Sequence, residues 1–383
     1  MTRARAVTVA DLRNLAKRNL PKSVFEFIDG GANDERTLHA NMHDFARIGL
    51  APRILTDVSL RRQSVHILGQ EYSSPLIFGP TGLSGLLWPD GDIATARATA
   101  TAGLGYCLST NSNASIEQVA SQGRPDFWFQ LYIQRDRAMV RDLVDRAAAA
   151  GCPVLCVTVD LPIQGPRERD ERNGFTVPPR LQLGDVFNYA TRLGWIWRMA
   201  CGPRITFANL ERAGGDQSNL KTLVDHISAQ FDQTVTWKEI DWLKSIWPGK
   251  MAIKGILHPQ DARLAAELGV DAVIVSNHGG RQLDGAPSAI SALPGIVEAV
   301  DGRADVLMDG GIRRGSDVVK AMALGARGCL IGRAGLYGLA ANGEAGVTRA
   351  IEILKKEIDV TLALLGQPDI TKIDNSAISS RSF

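Results

Sequence analysis

The 383-residue sequence has no stretch of about 18 uninterrupted apolar residues, the length a helix needs to cross a bilayer, so no membrane-spanning helix is expected. Arg3 and Arg5 lie near the start without an apolar h-region behind them, so no export signal is read there and a cytoplasmic location is expected. Charge of either sign is not in excess. Lys and Arg total 43 and Asp and Glu 41, a net of +2, without the basic surplus that marks a nucleic-acid surface. Cysteine is scarce and odd in number: Cys107, Cys152, Cys156, Cys201 and Cys329, mostly inside apolar runs. That pattern predicts buried free thiols in a reducing compartment, not a disulfide framework. Cys152 and Cys156 have no second Cys/His pair at zinc spacing to join them, and no metal is expected. Also missing is the glycine fingerprint after a first strand, with an acidic residue about 20 positions on, that a doubly wound dinucleotide-binding sheet would carry.

What is present reads as many short elements. Composition is that of an ordinary globular chain, 45% hydrophobic and 22% charged, and 38 glycines suit repeated tight strand-to-helix turns. Residues 8–45 are expected to be helical. Thr8 with Asp11 makes a capping-box start, Leu20-Pro21 breaks the helix, a second covers 22–29, and Gly30-Gly31-Ala32 ends it. Asn33 or Asp34 is expected to cap a third helix, where His39 and His43 sit one turn apart as a solvated pair.

From residue 75 a rhythm sets in. Apolar runs at 75–79, 105–108, 127–131, 153–159, 251–254, 272–275, 305–308 and 328–331 alternate with Ala-rich helices at 92–102, 138–150, 259–268 and 316–324. Eight β-α units with no antiparallel pattern predict an α/β fold, a (β/α)8 TIM barrel with N-terminal helices, as a single domain over 1–383. One connection is far longer: about 161–250 reads as an extended insertion after strand 4, over the barrel mouth. It holds Pro178-Pro179, residues 185–201 and residues 214–219. At 193–199 it carries a tryptophan-rich patch with Arg198, suited either to a membrane interface or to packing on the barrel or a sister subunit. Trp237, Trp242 and Trp247 read as packing, 346–365 as a long amphipathic helix, and 369–383 as a polar tail.

The chemistry gathers at strand ends. Residues 276–284, Ser-Asn-His-Gly-Gly-Arg-Gln-Leu-Asp, follow a β-branched run, and make poor packing material. His278 titrates near neutral pH and suits a base, while the planar fork of Arg281 suits a carboxylate. In a barrel all C-terminal strand ends converge, which adds Pro80, Thr81, Gly82, Ser109, Gln130, Tyr132, Thr158, Asp160, Lys254, Asp309, Gly310, Gly311, Gly332 and Arg333 to the set. Bare glycine backbone with Arg313 and Arg333 at the seventh and eighth ends reads as a phosphate cradle. Ser109, Gln130, Thr158 and Lys254 suit the edge of a flat heteroaromatic ring, and a phosphate plus such a ring points to FMN.

These residues, with Leu20-Pro21-Lys22, Phe129-Gln130-Leu131-Tyr132 and Lys254-Gly255, resemble the FMN-dependent L-2-hydroxy acid oxidases and dehydrogenases over nearly the whole chain. The resemblance implies a TIM barrel holding FMN. It assigns His278 as base, Asp160 as its orienting carboxylate that raises the histidine pKa, and Arg281, Arg167 and Tyr132 as substrate ligands. Lys254 would lie by the flavin N1/O2 edge. Pro80, Thr81, Gly82, Ser109, Gln130, Thr158 and Ser276 would contact the isoalloxazine side. Asp309, Gly310, Gly311, Arg313, Gly332 and Arg333 would serve the phosphate side. Substrates of the family are 2-hydroxy acids such as lactate and mandelate, electrons pass to a quinone or another acceptor, and a homotetramer is implied.

The sequence also departs from the family pattern. Where many members have a tyrosine reaching the substrate carboxylate, this chain has Phe25 and Phe27, of which Phe27 is the better match. Asn111 and Gly82 replace a tryptophan and an alanine of the glycolate oxidase-like members, which predicts a roomier pocket; Gly82 also resembles the dehydrogenase type. The 193–199 patch and the Arg204 region resemble respiratory lactate dehydrogenase, implying peripheral contact with the inner face of the cell membrane. Three other readings compete: an oxygen-using 2-hydroxy acid oxidase, a flavin-binding barrel without turnover, and another phosphate-binding barrel. In its IMP-dehydrogenase-like form the last needs a loop cysteine after the seventh-strand glycines, and none stands there.

Overall fold

The computed structural model describes residues 6–124, 126–175, 186–210 and 231–381. Three helices come first: α1 (Val9–Asn19), α2 (Lys22–Asp29) and α3 (Arg36–Ala46). The Thr8–Asp11 capping box forms as expected. The cap of α3 differs from expectation. Neither Asn33 nor Asp34 caps it; Glu35 takes that position in the left-handed region (φ 63°), and its carboxylate turns back to accept from the Gly31 N–H at 2.8 Å. His39 and His43 are both exposed on α3.

Strands β1 (Ile48–Leu50), β2 (Val65–Ile67) and β3 (Gln70–Tyr72) lie outside the barrel. The barrel strands are β4 (Leu76–Phe78), β5 (Gly105–Ser109), β6 (Trp128–Tyr132), β7 (Val154–Thr158), β8 (Lys250–Ile256), β9 (Ala272–Val275), β10 (Asp305–Asp309) and β11 (Gly328–Ile331). They close in the order β10-β11-β4-β5-β6-β7-β8-β9, all parallel. Strands covered on both faces favour apolar residues at most positions, which is why these runs are nearly continuous where a half-exposed strand would alternate. The intervening helices are α4 (Gly91–Thr101), α5 (Ile116–Gln122), α6 (Arg137–Ala149), α7 (Glu168–Arg172), α8 (Val186–Ala190), α9 (Leu193–Cys201), α10 (Trp237–Ile246), α11 (Pro259–Glu267), α12 (Ala289–Val300) and α13 (Gly315–Ala323). The final helix, α14 (Arg333–Leu365), begins earlier than the pattern indicates and is two helices joined at Asn342 and Gly343, where the backbone leaves helical geometry.

The C-terminal segment is not a loose polar tail. Short 3-10 turns lead into β12 (Ile378–Arg381), which pairs antiparallel with β1. The cysteines are free, with Cys107, Cys152, Cys156 and Cys329 buried and Cys201 exposed.

In the long connection between β7 and β8, Pro178-Pro179, Asp185 and residues 214–219 lie outside the described residues. The tryptophan-rich patch divides by face along α9. Trp195 is buried and donates its indole N–H to the Leu86 carbonyl at 2.8 Å, whereas Trp197 and Leu193 are 68% and 71% exposed. Trp247 is buried and donates to the Lys250 carbonyl, and Trp237 and Trp242 pack partly against the core. Among the described residues, no helix is long and apolar enough to cross a membrane.

Candidate active site

A cavity of about 1120 Å³ opens at the C-terminal ends of the barrel strands. At the end of β9 the chain turns through three consecutive left-handed residues: His278 (φ 57°), Gly279 (φ 66°) and Gly280 (φ 74°). A non-glycine residue held there is uncommon, and the conformation puts the His278 ring on the cavity wall. Its backbone N–H donates to Ser276 Oγ at 3.0 Å, and its Nδ1 lies 2.8 Å from Asp160 Oδ1. A carboxylate can only accept, so Nδ1 carries the proton and Nε2 of the neutral ring keeps a free lone pair. Asp160 comes from the segment after β7 and packs over Gly255, where an added Cβ would sit 2.6 Å from the aspartate Cβ. Its second oxygen, Oδ2, is buried without a partner.

The electrostatics correct one expectation. Asp160 does pull the His278 pKa upward, but burial pushes it down and the cations of Lys254 and Arg167 add to that, so the net shift is below the ordinary histidine value. The ring is therefore neutral at physiological pH. For Asp160 itself burial works upward, yet His278 and Lys254 outweigh it and hold the carboxyl below its usual range.

Lys254, buried on β8, donates to Ser276 Oγ at 2.9 Å and pairs with Asp309 Oδ2 at 3.0 Å. Burial alone would depress its pKa; the Asp309 and Asp160 carboxylates raise it instead. Ser109, Lys254 and Asp309 line the cavity; Gln130, Thr158 and Ser276 are not in the lining, but each adjoins a residue that is. Ser109 Oγ meets Gln130 Oε1 at 3.2 Å, and Thr158 pairs in register with both Tyr132 and Lys254. Gln130 Nε2, Thr158 Oγ1 and Asp309 Oδ1 are buried polar atoms with no protein partner. Such orphans are costly unless a ligand or water completes them, and a flat ring with polar edges fits that need.

Pro80, Thr81, Gly82, Gly310, Gly311, Gly332, Arg313 and Arg333 also line the cavity. The two arginines are not equivalent. Arg333 directs Nε, Nη1 and Nη2 to the carbonyls of Ile28, Gly279 and Gly30 at 2.7–2.8 Å. Arg313 donates to the Ile312 carbonyl and lies over the Tyr337 ring. Arg313 and the glycine backbone thus keep more capacity for a phosphate than Arg333 does.

Tyr132, Arg167, Arg281 and Phe27 face the same space. Arg281 Nη1 donates to the carbonyls of Phe27 (2.7 Å) and Gly30 (3.1 Å), the unpaired C-terminal groups of α2. Burial and the neighbouring guanidiniums of Arg167 and Arg333 lower its pKa well below the ordinary arginine value. Arg167 Nε is buried without a partner. Burial pushes the Tyr132 hydroxyl up to about 12, so it stays a donor. Phe27 is stacked on Phe175 at 4.5 Å, while Phe25 is buried elsewhere with Arg13 over its ring.

Several lining residues were missed in the sequence: Asp170, Phe175, Phe207 and Phe231. Asp170 lies three residues after Arg167, on the same side of α7, and that spacing was the available signal. The three phenylalanines belong to the long connection and had none. Among the described residues no cluster of metal-ligating side chains occurs.

Residues 16–380 match the family model described as FMN-dependent dehydrogenase. The L-lactate dehydrogenase of Caulobacter vibrioides is 42% identical over 375 residues, 98% of either chain. The L-lactate oxidase of a Nostoc species is 44% identical over 374 residues, 97% of either chain. Among solved structures, the monotopic membrane protein (S)-mandelate dehydrogenase is 40% identical with a TM-score of 0.94, over 98% of this chain and 100% of that one.

Proposed function

The chain belongs to the FMN-dependent dehydrogenase family and is an FMN-dependent 2-hydroxy acid oxidoreductase; from that premise we propose that it oxidises an L-2-hydroxy acid with a lactate- or mandelate-like side chain to the 2-oxo acid, with His278 as base, and passes the electrons to a quinone-like acceptor. The observation that carries this reading is His278, held by Asp160, facing the same cavity as Arg167 and Arg281.

Arg281 and Arg167 bind the substrate carboxylate and Tyr132 hydrogen-bonds its hydroxyl or carboxylate. His278 Nε2 takes the proton from the 2-hydroxyl or from its carbon. Asp160 holds the ring and stabilises the imidazolium that results. FMN, when bound, would supply the two-electron acceptor chemistry of the oxidation. Pro80, Thr81, Gly82, Ser109, Gln130, Thr158 and Ser276 would hold its ring side, and Asp309, Gly310, Gly311, Arg313, Gly332 and Arg333 its phosphate side. The Lys254 ammonium favours negative charge at the ring edge.

Gly82 and Asn111, both small, line the cavity of about 1120 Å³; an added Cβ at Gly82 would meet Asn111 at 3.1 Å, a tight contact that glycine avoids. That space, with Phe27, Phe175, Phe207 and Phe231 around the mouth, supports a substrate larger than glycolate. For the acceptor, exposed Trp197 and Leu193 on α9 and the likeness to a monotopic membrane enzyme support peripheral attachment where membrane quinone is at hand.

An anaerobic panel of glycolate, lactate, mandelate and longer 2-hydroxy acids tests the reading. Flavin colour is expected to bleach fastest with lactate or mandelate. Reoxidation is then expected to be faster with quinone-bearing lipid vesicles than with oxygen. A flavin that no 2-hydroxy acid bleaches would sink the activity; oxygen keeping pace with saturating quinone, or protein that does not float with vesicles, would sink the acceptor reading.

Phe27 offers a smaller check. A tyrosine there restores one hydrogen bond to the carboxylate, worth about 1 kcal/mol or roughly fivefold. Phe27→Tyr is expected to lower KM for the 2-hydroxy acid by that factor. An unchanged KM would argue against Phe27 as a carboxylate neighbour.

A further inference from the structure

The arginines assigned to the substrate carboxylate come from different segments: Arg167 from the connection after β7, and Arg281 from the turn after β9. Those two segments meet directly at Gly165, whose N–H donates to Gln282 Oε1 at 3.1 Å, and the loop between α2 and α3 is bonded to both beside that contact. Ala32 N–H donates to the Gly280 carbonyl at 2.9 Å, and Asn33 N–H donates to the Pro166 carbonyl at 3.0 Å. Each acceptor is the residue immediately before one of the two arginines. The loop is also pressed against its neighbour. A Cβ added at Gly31 would lie 2.7 Å from the Gly280 carbonyl, so only glycine permits that approach.

A partly buried ion pair, with Glu35 buried and Arg169 partly exposed, fastens this spacer from outside the cavity. Glu35, in its left-handed conformation, uses one carboxylate oxygen to accept from the Gly31 N–H and the other to accept from Arg169 Nη2. Arg169 lies on α7, two residues after Arg167, and its Nη1 is also 3.7 Å from Asp29 Oδ2. Asp29 is in turn held by Arg13 and by the Tyr337 hydroxyl at 2.6–2.7 Å. Arg169, Glu35 and Asp29 are absent from the cavity lining, so none of them touches what binds there.

We propose that the Glu35–Arg169 ion pair is a positioning device that fixes the separation of Arg167 and Arg281, and so the affinity for the substrate carboxylate. This rests on the carboxylate role proposed for those two arginines. Bidentate recognition depends on geometry, so a slackened spacer weakens carboxylate binding while leaving His278, Asp160 and the cofactor side in place.

The test uses the FMN-loaded enzyme with Arg169→Met, Arg169→Lys and Glu35→Gln. The measurements are KM and kcat for a 2-hydroxy acid, flavin content, and the dissociation constant of a simple 2-oxo acid from its perturbation of the flavin spectrum. For Arg169→Met and Glu35→Gln, KM and the dissociation constant are expected to rise together by about tenfold, the loss of one charge-assisted hydrogen bond. Flavin content should hold and kcat stay within about twofold, while Arg169→Lys, which keeps the charge, recovers part of the affinity. Unchanged KM and dissociation constant, or a fall in kcat at constant KM, overturns the proposal. Should Arg169→Met fail to fold, Glu35→Gln decides, because the amide oxygen still accepts from Gly31. The dissociation constant needs no turnover. A wild-type enzyme that no 2-hydroxy acid reduces therefore counts against the activity, while the clasp is still judged on 2-oxo acid affinity.

Discussion

Glutamine in place of His278 is expected to slow anaerobic bleaching of the flavin by a 2-hydroxy acid by about 10²–10⁴-fold, the range general-base catalysis supplies, while the protein stays yellow. The charge state of the ring sets the size of the effect. A base must be neutral before it acts, and burial, with Lys254 and Arg167 nearby, lowers the His278 pKa below its ordinary value of 6.5. The bleaching rate should therefore rise with pH through a midpoint below 6.5 and be flat around neutrality. Asp160→Asn removes the one neighbour that pulls this pKa upward, so the midpoint should move further down. The plateau rate should fall as well, because the imidazolium formed in the reaction loses its counter-charge. Stopped-flow bleaching against pH for the three proteins checks both statements. Wild-type rates in His278→Gln would place the base elsewhere.

What the sequence made legible, and what it hid, follows from the range of the interactions concerned. The barrel was readable because each strand is a mostly apolar run, with polar residues such as Ser109, Gln130, Thr158 and Lys254 in its C-terminal half, a local signal. His278 and Arg281 were readable for the same reason: a histidine, two glycines and an arginine after β9 serve no packing purpose. The direction of the His278 pKa was not readable. It is a sum over Asp160, Lys254, Arg167 and the depth of the cavity, and only the Asp160 contribution could be named beforehand. The same holds for β12, whose partner β1 lies more than three hundred residues earlier in the chain, so that a polar tail and a strand look alike locally. The left-handed Glu35 was hidden too. A glutamate is an unusual choice for that backbone region, and what holds it there is Gly31 and Arg169, not its own sequence neighbours.

Replacing Arg281 with methionine is expected to lower kcat/KM for the 2-hydroxy acid by about 10²-fold, the upper end of what one charge-assisted hydrogen bond contributes. Its surroundings explain why the effect should be large. Arg167, Arg313, Arg333 and Lys254 share the cavity wall, and Asp170, Glu171 and Asp309 are the carboxylates facing them. The space is therefore short of negative charge; burial first, and then the cations of Arg167 and Arg333, hold the Arg281 pKa down. A substrate carboxylate relieves that shortage, and removing Arg281 takes away the group that gains most. Arg281 also donates to the Phe27 and Gly30 carbonyls at the end of α2, where a cation meets the negative end of the helix. Arg281→Lys separates the two contributions. It keeps a cation for the helix end but loses the planar fork, so the loss in kcat/KM should fall between wild type and methionine, with thermal stability closer to wild type. Initial bleaching rates at substrate concentrations well below KM give kcat/KM directly, and a thermal melt of each flavin-loaded variant gives the stability. A methionine variant that keeps wild-type kcat/KM would mean that the carboxylate is held by Arg167 and Tyr132 without Arg281.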